Sequence, residues 1–178
     1  NSFLKINNCK LEKNINPKSI KLPINQWLYN EYIKTQNSVS KNLEIFRFDE
    51  AAKHVYQFVW HSYCDWYLEL SKTILFSDNE EAKSEVKKVS SYIFKQILIL
   101  LHPFIPFVTE EIWLKNKFDK SGNDFLMYAN WPNGEINKDS SIDQVENIIN
   151  IISEIRSFKN ELNVSPGSFI DMSINSIN

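Results

Sequence analysis

Glycine is scarce: the 178 residues include three Gly, six Pro, two Cys and two Met. So few glycines predict long regular elements and few tight turns, and they argue against a β-sandwich with its many turns. They also exclude Gly-rich phosphate loops, since neither G-x-G-x-x-G nor G-K-[ST] occurs. Cys9 and Cys64 lie far apart and supply no disulfide framework, which fits a reduced, cytosolic setting. No apolar run approaches the roughly 20 residues of a membrane span. The longest candidate, IFKQILILLHPFIPFV, is broken by Lys95, Gln96, His102 and two prolines. No signal peptide opens the chain. The missing initiator Met and the SINSIN ending suggest a piece of a longer protein.

Charge is close to balanced, with a formal net of −2. Its distribution is uneven. Residues 1–53 hold nine Lys/Arg against five Asp/Glu, and residues 54–178 hold eleven against seventeen. A basic end on an acidic body suits local RNA contact, but composition drift accounts for it as well.

What is present is helical pattern. The chain is 43% hydrophobic and 24% charged, which suits one globular domain with a substantial core. Residues 1–23 read as a short helical end and a polar linker between Pro17 and Pro23. From Ile24, apolar spacing through Leu28, Tyr32, Thr35, Val39, Leu43 and Phe46 predicts an amphipathic helix. Asp49 is a plausible N-cap for the next, with Glu50 in its first turn. That helix carries Ala52, Val55, Val59, Tyr63, Trp66 and Leu70 in one stripe, widened by Phe58 and Leu68 and extended by Trp60 and Tyr67. An apolar surface this broad predicts a central position in a bundle.

A long helix follows on Ala82, Val86, Val89, Ile93, Ile97 and Leu101, and HPFIPF stops it. A short helix starts near Pro106 or Thr109, with Glu110 and Glu111 in its first turn. After a loop-rich connector, a last helix spans about Ser141–Asn163, and SFIDMSI reads as a lone strand. The expected fold is an all-α bundle of four or five helices with a short C-terminal strand. The expected divisions are 1–23 (remnant helix and linker), 24–164 (bundle) and 165–178 (start of a further segment).

Three clusters of side chains invite a chemical reading. His54, His61 and Cys64 include soft metal ligands, but His54 and His61 stand about 10 Å apart along a helix axis, which disfavours one ion. A Cys–His nucleophile lacks a nearby Gly turn for an oxyanion hole. Asp65 sits among Trp60, Tyr63, Trp66 and Tyr67, and is expected to be a partly buried core tie. Its expected partner is Arg47 or Arg156, the two arginines of the chain, or an indole or phenol donor. Arg156 and Lys159 share a helix face, where a guanidinium and an ammonium can meet phosphates or bases; a solvated edge explains them equally well. No nucleophile, resident metal or phosphate loop emerges.

The stretches RFDEAAKHVYQFVWHSYCDWYLELSK, LLHPFIPFVTEEIW, NWP and IRSFKNELNVSPGS, in that order, resemble the anticodon-binding helical domain of valyl-tRNA synthetases, class I aminoacyl-tRNA synthetases. The HPFxPFxTEEIW pattern is shared loosely with leucyl and isoleucyl enzymes; CDWYLELSK points to the valyl branch. The resemblance implies a non-catalytic module that holds the anticodon stem-loop of a valine tRNA. Its parent would be a cytoplasmic, monomeric ligase that uses ATP and Mg to attach valine. Arg156, Lys159 and Arg47 are then the candidate tRNA-binding residues, with no catalytic, cofactor or metal site in this part. The family typically has a second arginine where this chain has Lys159, and the first bundle helix survives only as NSFLKINN. The catalytic, editing and coiled-coil regions of the family are absent. A helical protein-interaction bundle, or the equivalent isoleucyl or leucyl domain, is the alternative.

Overall fold

The computed structural model describes residues 2–7, 9, 12, 14–116, 125–136, 141–165 and 167–169. The helices are α1 (Ser2–Ile6), α2 (Pro23–Glu44), α3 (Phe48–Gln57), a π-helical segment (Phe58–Tyr67), α4 (Leu68–Leu75), α5 (Glu80–Leu101), α6 (Pro106–Asn116) and α7 (Ser141–Glu161). Short 3-10 turns cover Pro17–Ser19 and Leu126–Tyr128. The all-α bundle expected from periodicity is the observed fold. Residues 170–174 of the expected strand lie outside the described residues.

Local chemistry explains the boundaries. Pro23 opens α2, where a missing N–H leaves no ladder bond unmade. Asn79 caps α5 by accepting a bond from the Ala82 N–H at 3.0 Å, and Glu80 and Glu81 face the positive end of the helix. Helices α2 and α7 both end in a Schellman turn. Arg47 N–H bonds Asn42 C=O at 2.8 Å with Phe46 at φ 59°, and Val164 N–H bonds Lys159 C=O at 2.9 Å with Asn163 at φ 54°. Asn tolerates this left-handed position; Phe does not do so readily. The N-cap of α3 is Arg47, with no side-chain cap bond, and Asp49 lies inside the first turn. The sequence reading placed the cap two residues too late.

Helix α3, the π segment and α4 form one continuous rod from Phe48 to Leu75, with right-handed helical dihedrals at both junctions. The wider coil is seen directly where Leu68 N–H reaches Tyr63 C=O, five residues back. This rod packs against α2 and α5, and α7 closes the bundle over α2. The core centres on Leu28, Tyr32, Ile33, Val55, Tyr67, Ile93 and Leu100. A second cluster of Leu4, Phe94, Leu98, Trp113 and Leu126 joins α1, α5, α6 and the second 3-10 turn.

The main core holds a polar hub. Tyr67 Oη donates to Asn25 Oδ1 at 2.8 Å and lies 3.1 Å from Ser90 Oγ. Asn25 Nδ2 donates to Glu85 Oε1 at 2.8 Å, and the same oxygen accepts the Lys21 and Leu22 N–H groups at 3.1 and 2.9 Å. Glu85 of α5 thus holds, from across the bundle, the backbone N–H groups of the two residues that lead into α2. The connector after the second 3-10 turn straps α2: Trp131 Nε1 donates to Ser40 Oγ at 2.8 Å. A Cβ at Gly134 would fall 2.5 Å from Ile33 Cδ1, so this close approach requires glycine unless Ile33 shifts.

Candidate nucleic-acid interface

Trp66 lies on the π segment and is 4% exposed. The guanidinium of Arg156, from the C-terminal half of α7, sits 4.8 Å from the centroid of its ring. A cation over an indole face is attracted by the ring quadrupole, which seats the guanidinium against the ring. Arg156 itself is exposed. The His61 ring meets Trp66 edge to face at 6.3 Å. The Trp66 indole N–H is buried and has no hydrogen-bond partner among the described residues.

His61 also lines a cleft of about 380 Å³ between α2 and the rod. Lys34, Glu31, His54 and Gln57 share its walls, and Phe58 lies at its inner side. Lys34 bonds Glu31 at 2.7 Å and reaches Glu146 of α7 at 3.5 Å. The hydrogen bond to Glu31 is the main reason the Lys34 ammonium is held above its ordinary range. The charge of Lys34 in the cleft is therefore balanced by Glu31 and Glu146.

The three candidate cations fall into two groups. Arg156 and Lys159 are one helical turn apart on α7. Lys159 is half-buried, and its ammonium donates to Ser168 C=O at 2.6 Å, tying down the chain beyond the helix. Arg47 stands at the start of the rod, on the order of 25 Å from Trp66 along the axis. It bonds Asp49 at 3.2 Å and faces Glu50 at 3.6 Å. The hydrogen bond from Arg47 holds the Asp49 carboxyl below its usual range. Arg47 thus belongs to a different part of the surface.

Asp65 is not a core tie. Its side chain is 50% exposed, and the basic side chain facing it is His61, with Nδ1 to Oδ2 at 4.0 Å. The reason is geometric: residues adjacent in sequence point to different sides of a helix, so the aromatics flanking Asp65 do not surround it. Arg156 pairs with the aromatic neighbour, Trp66. His54 and His61 both reach the cleft, but Cys64 does not. Among the described residues no three His, Cys, Asp or Glu groups converge as metal ligands. Burial, with a smaller contribution from Asp65, pushes the Cys64 thiol up, away from nucleophilic thiolate. No described helix is long and apolar enough to cross a membrane.

Sequence reasoning missed the Arg156–Trp66 pairing, the π segment and the place of Lys34 in the cleft. The Arg156–Trp66 pairing and the place of Lys34 depend on how separate helices meet, which periodicity within one helix does not signal, and the π segment keeps the apolar content of an ordinary helix.

A family model described as "Anticodon-binding domain of tRNA ligase" matches residues 25–174. The chain belongs to that family. This anticodon-binding domain is 67% identical over 177 residues to the valine–tRNA ligase of Pelagibacter ubique, covering 99% of the chain and 20% of that protein. It is 37% identical over 167 residues to the valine–tRNA ligase of Agrobacterium fabrum (93% and 18%) and 39% identical over 171 residues to that of Caulobacter vibrioides (93% and 19%). The chain spans about a fifth of the length of the curated relatives it matches. The residues described above offer the domain positioning and contact groups.

Proposed function

We propose that this domain binds the anticodon stem-loop of a valine tRNA for a ligase that attaches valine to that tRNA with ATP and Mg. The observation that carries this reading is the 67% identity to a valine–tRNA ligase along 99% of the chain. Within the domain, Arg156 over Trp66 is the best-placed group for RNA. It is an exposed guanidinium, preorganised by an aromatic face, that can fork onto a phosphate or stack on a base. Lys159 adds charge one turn on, and Arg47 is a separate and more distant contact. The parent works as a cytoplasmic monomer, and residues 24–164 form the RNA-binding bundle.

The test is a titration of valine tRNA against the intact ligase at several salt concentrations. Binding should weaken with salt along a log–log line, at roughly 0.7 to 0.9 of slope per phosphate neutralised. Arg156→Ala should make that line shallower by about one phosphate. An unchanged slope would remove Arg156 from the RNA face.

A further inference from the structure

The cleft between α2 and the rod holds donors and acceptors that the domain itself leaves unused. Ser62 lines it and is only 8% exposed, yet its hydroxyl makes no hydrogen bond to any described residue. A hydroxyl this far from bulk water and unpaired costs stability, and folded chains keep few of them. The Gln57 amide and the His54 imidazole line the same cleft, and they too make no hydrogen bond to a described residue. On the α2 side, the Thr35 and Ser38 hydroxyls donate to the Glu31 and Lys34 carbonyls at 2.8 and 3.0 Å, so their oxygens keep lone pairs for an incoming donor.

Shape and charge narrow the ligand. The cleft of about 380 Å³ is of the size that small groups occupy, and buried Phe58 gives it an aromatic floor. Glu31 and Glu146 balance Lys34, so this lysine offers no surplus charge to a phosphate. A neutral group with a flat apolar body and polar edges fits such walls, and an unstacked nucleobase is that kind of group. Gln57 carries a donor and an acceptor side by side, the pair that an amide presents to a base edge.

Position points the same way. The His61 ring lines the cleft and stands 6.3 Å from the Trp66 ring, and the Arg156 guanidinium stands 4.8 Å from that same ring. A single indole therefore separates the guanidinium from the cleft, and a strand held at Arg156 by a phosphate brings its neighbouring bases to the opening. Phe58, His61 and Ser62 all belong to the π-helical segment, a kind of element frequent at functional sites.

From these features we infer that the cleft receives one unstacked base of the anticodon loop, whose edge is read by Gln57 and Ser62 while Arg156 holds the strand outside. The inference rests on the reading that the domain binds a valine tRNA, and it adds the residues that distinguish the base.

A set of valine tRNAs, each lacking one base of the anticodon loop, tests this when titrated against the intact ligase. Gln57 is exposed and the Ser62 hydroxyl has no partner to lose, so Gln57→Ala and Ser62→Ala should keep the parent's melting temperature. Each variant should bind complete tRNA about three- to tenfold more weakly, the worth of one hydrogen bond. The salt slope should stay at the parent's value, because no phosphate contact is removed. With one of the base-lacking tRNAs, the same one for both variants, the loss should vanish. Either variant binding complete tRNA like the parent overturns the inference. A loss that persists on every base-lacking tRNA, or a shallower salt slope, assigns these residues to the RNA backbone and also overturns it. If Arg156→Ala changes the slope while the cleft variants change nothing, the proposed function stands and this inference alone falls. A ligase that binds no valine tRNA overturns both.

Discussion

Tyr67 of the π segment donates its phenolic proton to Asn25 of α2 at 2.8 Å, in a core where both side chains are fully buried. Removing the hydroxyl leaves Asn25 Oδ1 without this donor and Ser90 without this neighbour. Tyr67→Phe should therefore destabilise the chain by about 1–3 kcal/mol. Urea denaturation measures this, and a midpoint equal to the parent's would show that water or Ser90 replaces the bond.

The tyrosines also set an alkaline limit. Burial, more than any other cause, raises Tyr32, Tyr63, Tyr67 and Tyr92, the last to about 12. A raised phenol holds its proton in the folded chain after the unfolded chain has lost it. Its contribution is intact below the unfolded value of about 10 and is lost as pH rises toward the folded value. Stability should thus fall from about pH 10 upward, by on the order of 1.4 kcal/mol per pH unit for each of the buried Tyr32, Tyr63 and Tyr67 and by less for half-buried Tyr92. Phenolate absorbance should rise together with loss of helical circular dichroism; full ionisation of these groups in a folded chain would refute the expectation.

Arg156→Ala removes the cation from Trp66. The expected loss of stability is small, about 0.5–1 kcal/mol for an exposed cation–π contact. Arg156→Lys should keep most of the phosphate charge while losing the planar fork, so tRNA affinity should fall more for it than its salt slope does. A larger effect on melting than on binding would make the residue structural.

Asp65 is exposed, and Asp65→Ala should change stability by no more than about 0.5 kcal/mol. A loss of several kcal/mol would restore the buried ion pair that the sequence suggested.

Phe46→Gly should stabilise the isolated chain by about 1 kcal/mol by relieving the left-handed strain. The comparison is a thermal melt of the two chains. A destabilised variant would mean that the ring contributes to packing within the domain itself.

The helices were legible because their apolar residues recur at helical intervals. Val86, Val89, Ile93 and Ile97 are buried on α5 as their spacing indicates, and Pro106 begins α6 where proline is best tolerated. The ends of the stripes were not legible. Phe46 and Leu162 continue the pattern on paper but lie beyond the last helical turn, where the Schellman geometry turns them to solvent. Trp60 was read as part of the core and is on the surface. Fully buried Asn25, Ser71, Ser90 and Ser91 resemble solvent-facing residues in sequence, and for Asn25 and Ser90 the partners that allow burial come from other helices. For the candidate site, the one-turn spacing of Arg156 and Lys159 on a helix was legible, but Trp66 as the seat of Arg156 was not. Valine and its tRNA entered through resemblance.

The π segment has a bearing on length. Its backbone bonds reach five residues back where the neighbouring turns reach four, so Phe58–Tyr67 spends more residues per turn than the helices it joins. That surplus is slack. A one-residue deletion within it can be absorbed by tightening about half of the segment to ordinary α-helical turns, leaving α3 and α4 in phase with the helices they face. The same deletion in the middle of α5 has no slack to draw on and must rotate half of that helix by about 100°. In a bundle built on register, Phe58–Tyr67 is the stretch where a change of length can be accommodated without a change of face.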